Sequence, residues 1–135
     1  MELTRRAFLS LVSLATGAVA TLTALPARAK KLAFALAKAP ALGTVGGAAT
    51  VTLKGRTVLF VRDGDASLRA VDPTCTHKAC AVEYRSDARE FRCPCHGSRF
   101  SIEGKVLNGP APSDLTSFPA ELSGDRVVVD LPEDA

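Results

Sequence analysis

Residues 75–98 read Cys75-Thr76-His77-Lys78-Ala79-Cys80, then Ala81-Val82-Glu83-Tyr84-Arg85-Ser86-Asp87-Ala88-Arg89-Glu90-Phe91-Arg92, then Cys93-Pro94-Cys95-His96-Gly97-Ser98. The chain holds four cysteines and two histidines in 135 residues, and all six lie inside this stretch. Cysteines scattered through a core would not cluster in this way. Val82-Glu83-Tyr84 and Glu90-Phe91-Arg92 flank Ser86-Asp87, the pattern of a short hairpin. The stretch therefore predicts two chemistry-bearing loops joined by a β ribbon.

The flanking sequence extends the β reading. Thr50-Val51-Thr52-Leu53 alternates and ends at Lys54-Gly55; Thr57-Val58-Leu59-Phe60-Val61 follows. Asp63-Gly64 then precedes Leu68-Arg69-Ala70-Val71, and an Asp-Gly between such runs signals a hairpin. Ser123-Gly124-Asp125 separates Phe118–Leu122 from Val127-Val128-Val129. Leu32, Phe34 and Leu36 alternate as an opening strand, although alanine richness leaves a helix open. No repeat and no long helical period follow residue 40. The domain reads as all-β, with antiparallel strands and loops that carry the unusual residues.

Reduced to metal-ligand types, the two loops read Cys-x-His, fifteen residues, Cys-x-x-His. Two thiolates and two imidazoles suit zinc or a mixed-ligand iron–sulfur cluster. Zinc prefers knuckles with two to four residues between cysteines, and Cys93-Pro94-Cys95 is tighter than that. Disulfides alone would leave both histidine positions unexplained.

These motifs, together with Gly109-Pro110-Ala111-Pro112, resemble the Rieske 2Fe–2S family, in particular the branch of cytochrome bc-type complexes and related exported proteins. The resemblance runs from about Leu32 to Leu131. It implies small antiparallel sheets with a two-loop cluster-binding subdomain, whose loops are 75–80 and 93–98. It implies Cys75, His77, Cys93 and His96 as ligands of one 2Fe–2S cluster and a Cys80–Cys95 disulfide. It also implies that the proline loop 109–112 covers the cluster. Neutral imidazoles in place of two thiolates make reduction easier, at roughly −150 to +300 mV against about −400 mV for all-thiolate plant-type centres.

Within the family, a serine at the Ser98 position donates its hydroxyl to a cluster sulfide and raises the potential. High-potential members add a tyrosine where this chain has Phe100, so the expected potential is intermediate. Quinol-oxidising members usually carry Leu-Gly where this chain has Lys78-Ala79. Lys78 suits a polar or acidic protein partner better than a quinone pocket.

The first residues carry a different message. Thr4-Arg5-Arg6-Ala7-Phe8-Leu9 is followed by an uncharged run to Ala27 and by Pro26-Ala27-Arg28-Ala29. A basic start, an apolar middle and a small-x-small end form a secretory signal, and the paired arginines resemble the twin-arginine class. Cleavage is expected after Ala29, leaving residues 30–135 as the domain; an anchored reading would retain residues 7–27 in the membrane. Export to the periplasm or outer face of the cytoplasmic membrane permits a disulfide.

The formal charge is +3, of which residues 1–29 hold +2 (Arg5, Arg6 and Arg28 against Glu2). The remaining +1 gives no reason to invoke nucleic acid. There is no Trp and one Tyr, so no stacking platform is expected. The expected function is one-electron transfer, by a carrier or redox subunit, to a cytochrome, copper protein or oxidoreductase partner. The small subunit of an arsenite-oxidase-like enzyme is one form of this reading. The alternatives are the Rieske subunit of a quinol-oxidising bc-type complex and a structural zinc module. The domain needs no substrate chemistry of its own, and it lacks room and histidines for an oxygenase iron site.

Overall fold

The computed structural model describes residues 29–133. The signal and anchor readings for residues 1–28 lie outside the described residues. Among the described residues, eleven strands, numbered β1 to β11 in chain order, form three antiparallel sheets of three, four and four strands. The all-β expectation holds.

The alanine-rich opening is strand β1 (Ala29–Ala35), and the helix alternative falls away. It pairs along its whole length with β11 (Arg126–Pro132), so tertiary pairing overrides alanine's helical propensity. Leu36 already belongs to the first of two short 3-10 turns, Leu36–Lys38 and Pro40–Gly43. Strands β2 (Ala48–Leu53) and β3 (Arg56–Arg62) meet at Lys54-Gly55, with φ of 49° and 81°. A two-residue hairpin of the I′ class needs left-handed backbone at both positions.

The Asp63-Gly64 hairpin to β4 (Leu68–Val71) is present, with five residues in its connection because Arg62 pairs with Leu68. The Arg62 guanidinium organises that loop, donating to the carbonyls of Gly64, Asp65, Leu42 and Gly43. The predicted run Phe118–Leu122 divides at Pro119. Strand β9 (Ser117–Phe118) pairs with β4, and β10 (Ala120–Ser123) pairs with β11. Proline has no N–H to give a ladder, so a change of sheet at this point strands no donor.

β3 lies between two cores. Val58 and Phe60 face a core shared with Phe34, Val127 and Val129, between the first two sheets. Leu59 and Val61 face a second core, with Phe91, Phe100 and Cys93 from the third sheet and its loops. Alternate residues of a strand point to opposite faces, so burial on both sides explains the unbroken apolar run.

The third sheet carries the loops. β5 (Glu83–Arg85) and β6 (Glu90–Arg92) form the predicted hairpin across residues 86–89. β7 (Arg99–Ser101) and β8 (Val106–Asn108) complete it, two strands that the sequence pattern does not mark. Each is three residues long and without alternation that would mark it alone.

Candidate metal centre

The two predicted loops have the same backbone construction. In the first, Cys75 N–H donates to Cys80 O at 2.7 Å and Ala79 N–H donates to Cys75 O at 2.9 Å. In the second, Cys93 N–H donates to Ser98 O at 2.8 Å and Gly97 N–H donates to Cys93 O at 3.0 Å. The fifth residue of each loop is left-handed, Ala79 at φ 55° and Gly97 at φ 74°. Two similar clasps thus present Cys75 and His77 on one side, Cys93 and His96 on the other.

Three cross-links lock these loops and the proline loop into a triangle. The Cys80–Cys95 disulfide joins the first to the second, with Cα atoms 6.4 Å apart. The Ala111 N–H donates to the buried Ser98 Oγ at 3.2 Å, joining the proline loop to the second. Thr76 Oγ1 donates to Ser113 O at 2.6 Å, joining the first loop to the third. Gly109 makes the second link sterically feasible: its φ is +100°, and a Cβ there would lie 2.5 Å from Ser98 Cα.

Inside the triangle, Cys75 and Cys93 are free thiols, each 2% exposed. The His77 and His96 rings are 4.8 Å apart between centroids, at 85°. His77 Nδ1 is buried without a hydrogen-bond partner, and His96 is exposed. Burial pushes the Cys75 thiol up, yet the His77 N–H, Cys93, the Lys78 N–H and Ser98 together bring it below its ordinary value. Hydrogen bonds to a thiolate favour the charged form, which is the form that binds metal. Two buried thiols, two imidazoles and one unpartnered imidazole nitrogen form a donor set that fits a 2Fe–2S cluster with sulfur on one iron and nitrogen on the other. A cleft of about 600 Å³ near Lys30, Lys54 and Arg56 has none of these four residues in its lining.

Phe100 is fully buried and pairs across the strands with Phe91. Its ring faces the second core beside Cys75 and Cys93. Lys78 is exposed next to His77.

Sequence reasoning missed the supports of the second loop. Glu90 is buried and accepts from Arg92 Nε at 2.7 Å and from Arg99 Nε and Nη2 at 2.9 and 2.7 Å. Arg92 and Arg99 are register partners immediately before and after residues 93–98, so Glu90 clamps the base of the loop. The guanidiniums, Arg99 foremost, hold the Glu90 carboxyl at about 2. Asp63 similarly gathers Arg69 and Arg89. The Glu90-x-Arg92 alternation beside Cys93 was visible, but Arg99 could be placed only by strand pairing. Thr76 and Ser113 carried no signal at all.

A β scaffold that presents thiols and imidazoles from two clasped loops defines a class of small metal-centre proteins. The Rieske [2Fe-2S] domain matches residues 34–119, and the chain belongs to that family; its cofactor is one 2Fe–2S cluster. The chain is 39% identical over 79 residues to the cytochrome b6-f complex iron-sulfur subunit of Prochlorococcus marinus, covering 57% of this chain and 44% of that protein. It is 29% identical over 140 residues to the same-named subunit of Chlorobaculum tepidum, covering 97% of this chain and 77% of that one. Its structure resembles the cyanobacterial plasma membrane Rieske protein PetC3 from Synechocystis PCC 6803, with a TM-score of 0.58 and 35% identity, covering 70% of this chain and 90% of that one. The chain thus spans less than half of the Prochlorococcus relative. Among the described residues, no helix is long and apolar enough to cross a membrane.

Proposed function

We propose that Cys75, His77, Cys93 and His96 hold the cluster and that the domain passes single electrons between redox proteins outside the cytoplasm. This reading is supported by two buried free thiols, Cys75 and Cys93, on the same two loops that bring the His77 and His96 rings to 4.8 Å between centroids. When bound, the cluster supplies a reversible one-electron couple. The protein's residues do the rest. Cys75 and Cys93 offer soft anionic ligands in a place that excludes water. His77 offers Nδ1, which leaves Nε2 as the atom that holds a proton and lets electron transfer couple to proton transfer. Ser98 accepts from Ala111 through its oxygen and keeps its hydroxyl hydrogen for a sulfur acceptor. The exposed His96 edge and Lys78 present a polar, cationic contact that suits an acidic cytochrome, copper protein or oxidoreductase subunit.

The second reading is a quinol-oxidising subunit, favoured by the names of the cytochrome b6-f relatives. Lys78 and Phe100 weigh against it. We assign Arg5 and Arg6 to a twin-arginine export signal cleaved after Ala29, with residues 30–135 as the exported domain.

The test is electron paramagnetic resonance and metal analysis of purified protein. A reduced-state signal with average g below that of the free electron, lost in Cys93→Ser and His96→Ala, supports the ligand set. Zinc without such a signal overturns it. Cell fractionation separates the two roles: a soluble mature chain argues against the quinol-oxidising subunit, and a chain that purifies with a membrane cytochrome supports it.

A further inference from the structure

We propose that Cys93 is also the nucleophile of an internal thiol–disulfide exchange, attacking Cys80 and displacing Cys95 in any chain that has not received its cluster or has lost it. The geometry is direct. Cys93 is a free thiol, and the sulfurs of Cys80, Cys93 and Cys95 all lie within 4.8 Å of one another. The fold holds them there: Cys93 N–H is tied to Ser98 O, and the Cys80–Cys95 bond ties the loops together.

Two sulfurs are within reach, and chemistry chooses between them. Attack on Cys95 would close a ring spanning only Cys93-Pro94-Cys95, in which proline fixes one backbone torsion. Attack on Cys80 replaces one cross-loop bond by another. The closed segment shortens from a separation of 15 to 13 (93 minus 80), so loop-closure entropy barely changes. Cys95 is exposed, so the departing thiolate is hydrated as it leaves. The step is an isomerisation. The Cys93–Cys80 bond forms, the Cys80–Cys95 bond breaks, and the proton lost by Cys93 to water is matched by one taken up at Cys95. No oxidant or reductant is consumed.

The product cannot offer Cys93 to iron and exposes a thiol at the tip instead. The exchange therefore separates chains that can accept a cluster from chains that cannot; an excess of a reducing dithiol, itself oxidised to a disulfide, cleaves the Cys80–Cys93 bond and frees Cys93 again. The proposal does not depend on which redox partner the domain serves.

The test uses the full chain purified with its cluster under argon. Iron is removed with a chelator; samples are alkylated with N-ethylmaleimide at intervals, digested without reduction and mass-mapped. The expected result is a growing Cys80–Cys93 crosslink with alkylation moving from Cys93 to Cys95. The capacity to rebuild the visible spectrum from iron and sulfide falls in parallel and returns after dithiothreitol. In guanidinium, which removes the folded arrangement of the sulfurs but leaves Cys93 tethered two residues from Cys95, the crosslink forms more slowly and alongside other pairings. Persistence of Cys80–Cys95 with Cys93 alkylated would overturn the proposal. So would a Cys93–Cys95 product, or equal rates in folded and unfolded chains.

Discussion

Replacing Gly109 by alanine probes whether the proline loop is seated on the metal-centre loop by close backbone approach. At φ +100°, a non-glycine residue meets strain of about 1–2 kcal/mol. The added Cβ would also lie 2.5 Å from Ser98 Cα and 3.1 Å from Ser98 N, which are backbone atoms with little freedom to retreat. The proline loop must therefore lift, and the Ala111 N–H to Ser98 Oγ bond breaks in a site where Ser98 is fully buried. Leaving a buried polar group unpaired costs about 1–3 kcal/mol. The two terms total about 3 kcal/mol. With a guanidinium slope of about 4 kcal/mol/M, the unfolding midpoint falls by roughly 0.7 M. The control is Gly124→Ala in the β10–β11 turn, at φ +61° with open space around it, where strain acts without a clash. Far-UV circular dichroism gives the unfolding curve, and visible absorbance gives cluster loss in the same samples. Gly109→Ala should lose more stability than Gly124→Ala and bleach sooner. Equal losses in the two variants would refute the argument that Ser98 backbone contact holds the loop.

Three further outcomes are expected. Phe100→Tyr adds a hydroxyl beside Cys75 and Cys93; a hydrogen bond stronger by about 1 kcal/mol in the reduced state raises the potential by ~40 mV, and voltammetry showing no rise removes Phe100 from the tuning set. Ala79→Gly relieves left-handed strain at φ 55° and, after glycine's larger unfolded-state entropy, gains about 0.5–1 kcal/mol, seen as a melting point higher by roughly 2–4 °C; a lower melting point contradicts this. Glu90 has its carboxyl depressed from 4.5 to about 2, so its contribution is fully present above pH 4.5 and is lost as pH falls through 2. Wild type should lose stability more steeply than Glu90→Gln across that window; parallel denaturation midpoints would show that the arginine clamp does not support the loop.

The all-β class and the two candidate loops were legible in the order of residues alone. Period-two alternation and turn residues marked most strands, because side chains of a strand alternate between core and solvent regardless of which strand lies alongside. The clustering of six scarce residues marked both loops, since a metal centre demands those side-chain types at short spacing. How the loops are held came from pairing between distant segments. β7 and β8 are too short to show a period and exist by pairing with β6 and each other. The change of sheet at Pro119, the double-faced burial of β3 and the Glu90–Arg99 clamp each join residues through contacts that their spacing does not encode. Thr76 to Ser113 spans 37 residues and uses two of the commonest polar side-chain types, so nothing local distinguished it. Local pattern records what each residue prefers, whereas long-range pairing depends on which surfaces meet after the chain has closed.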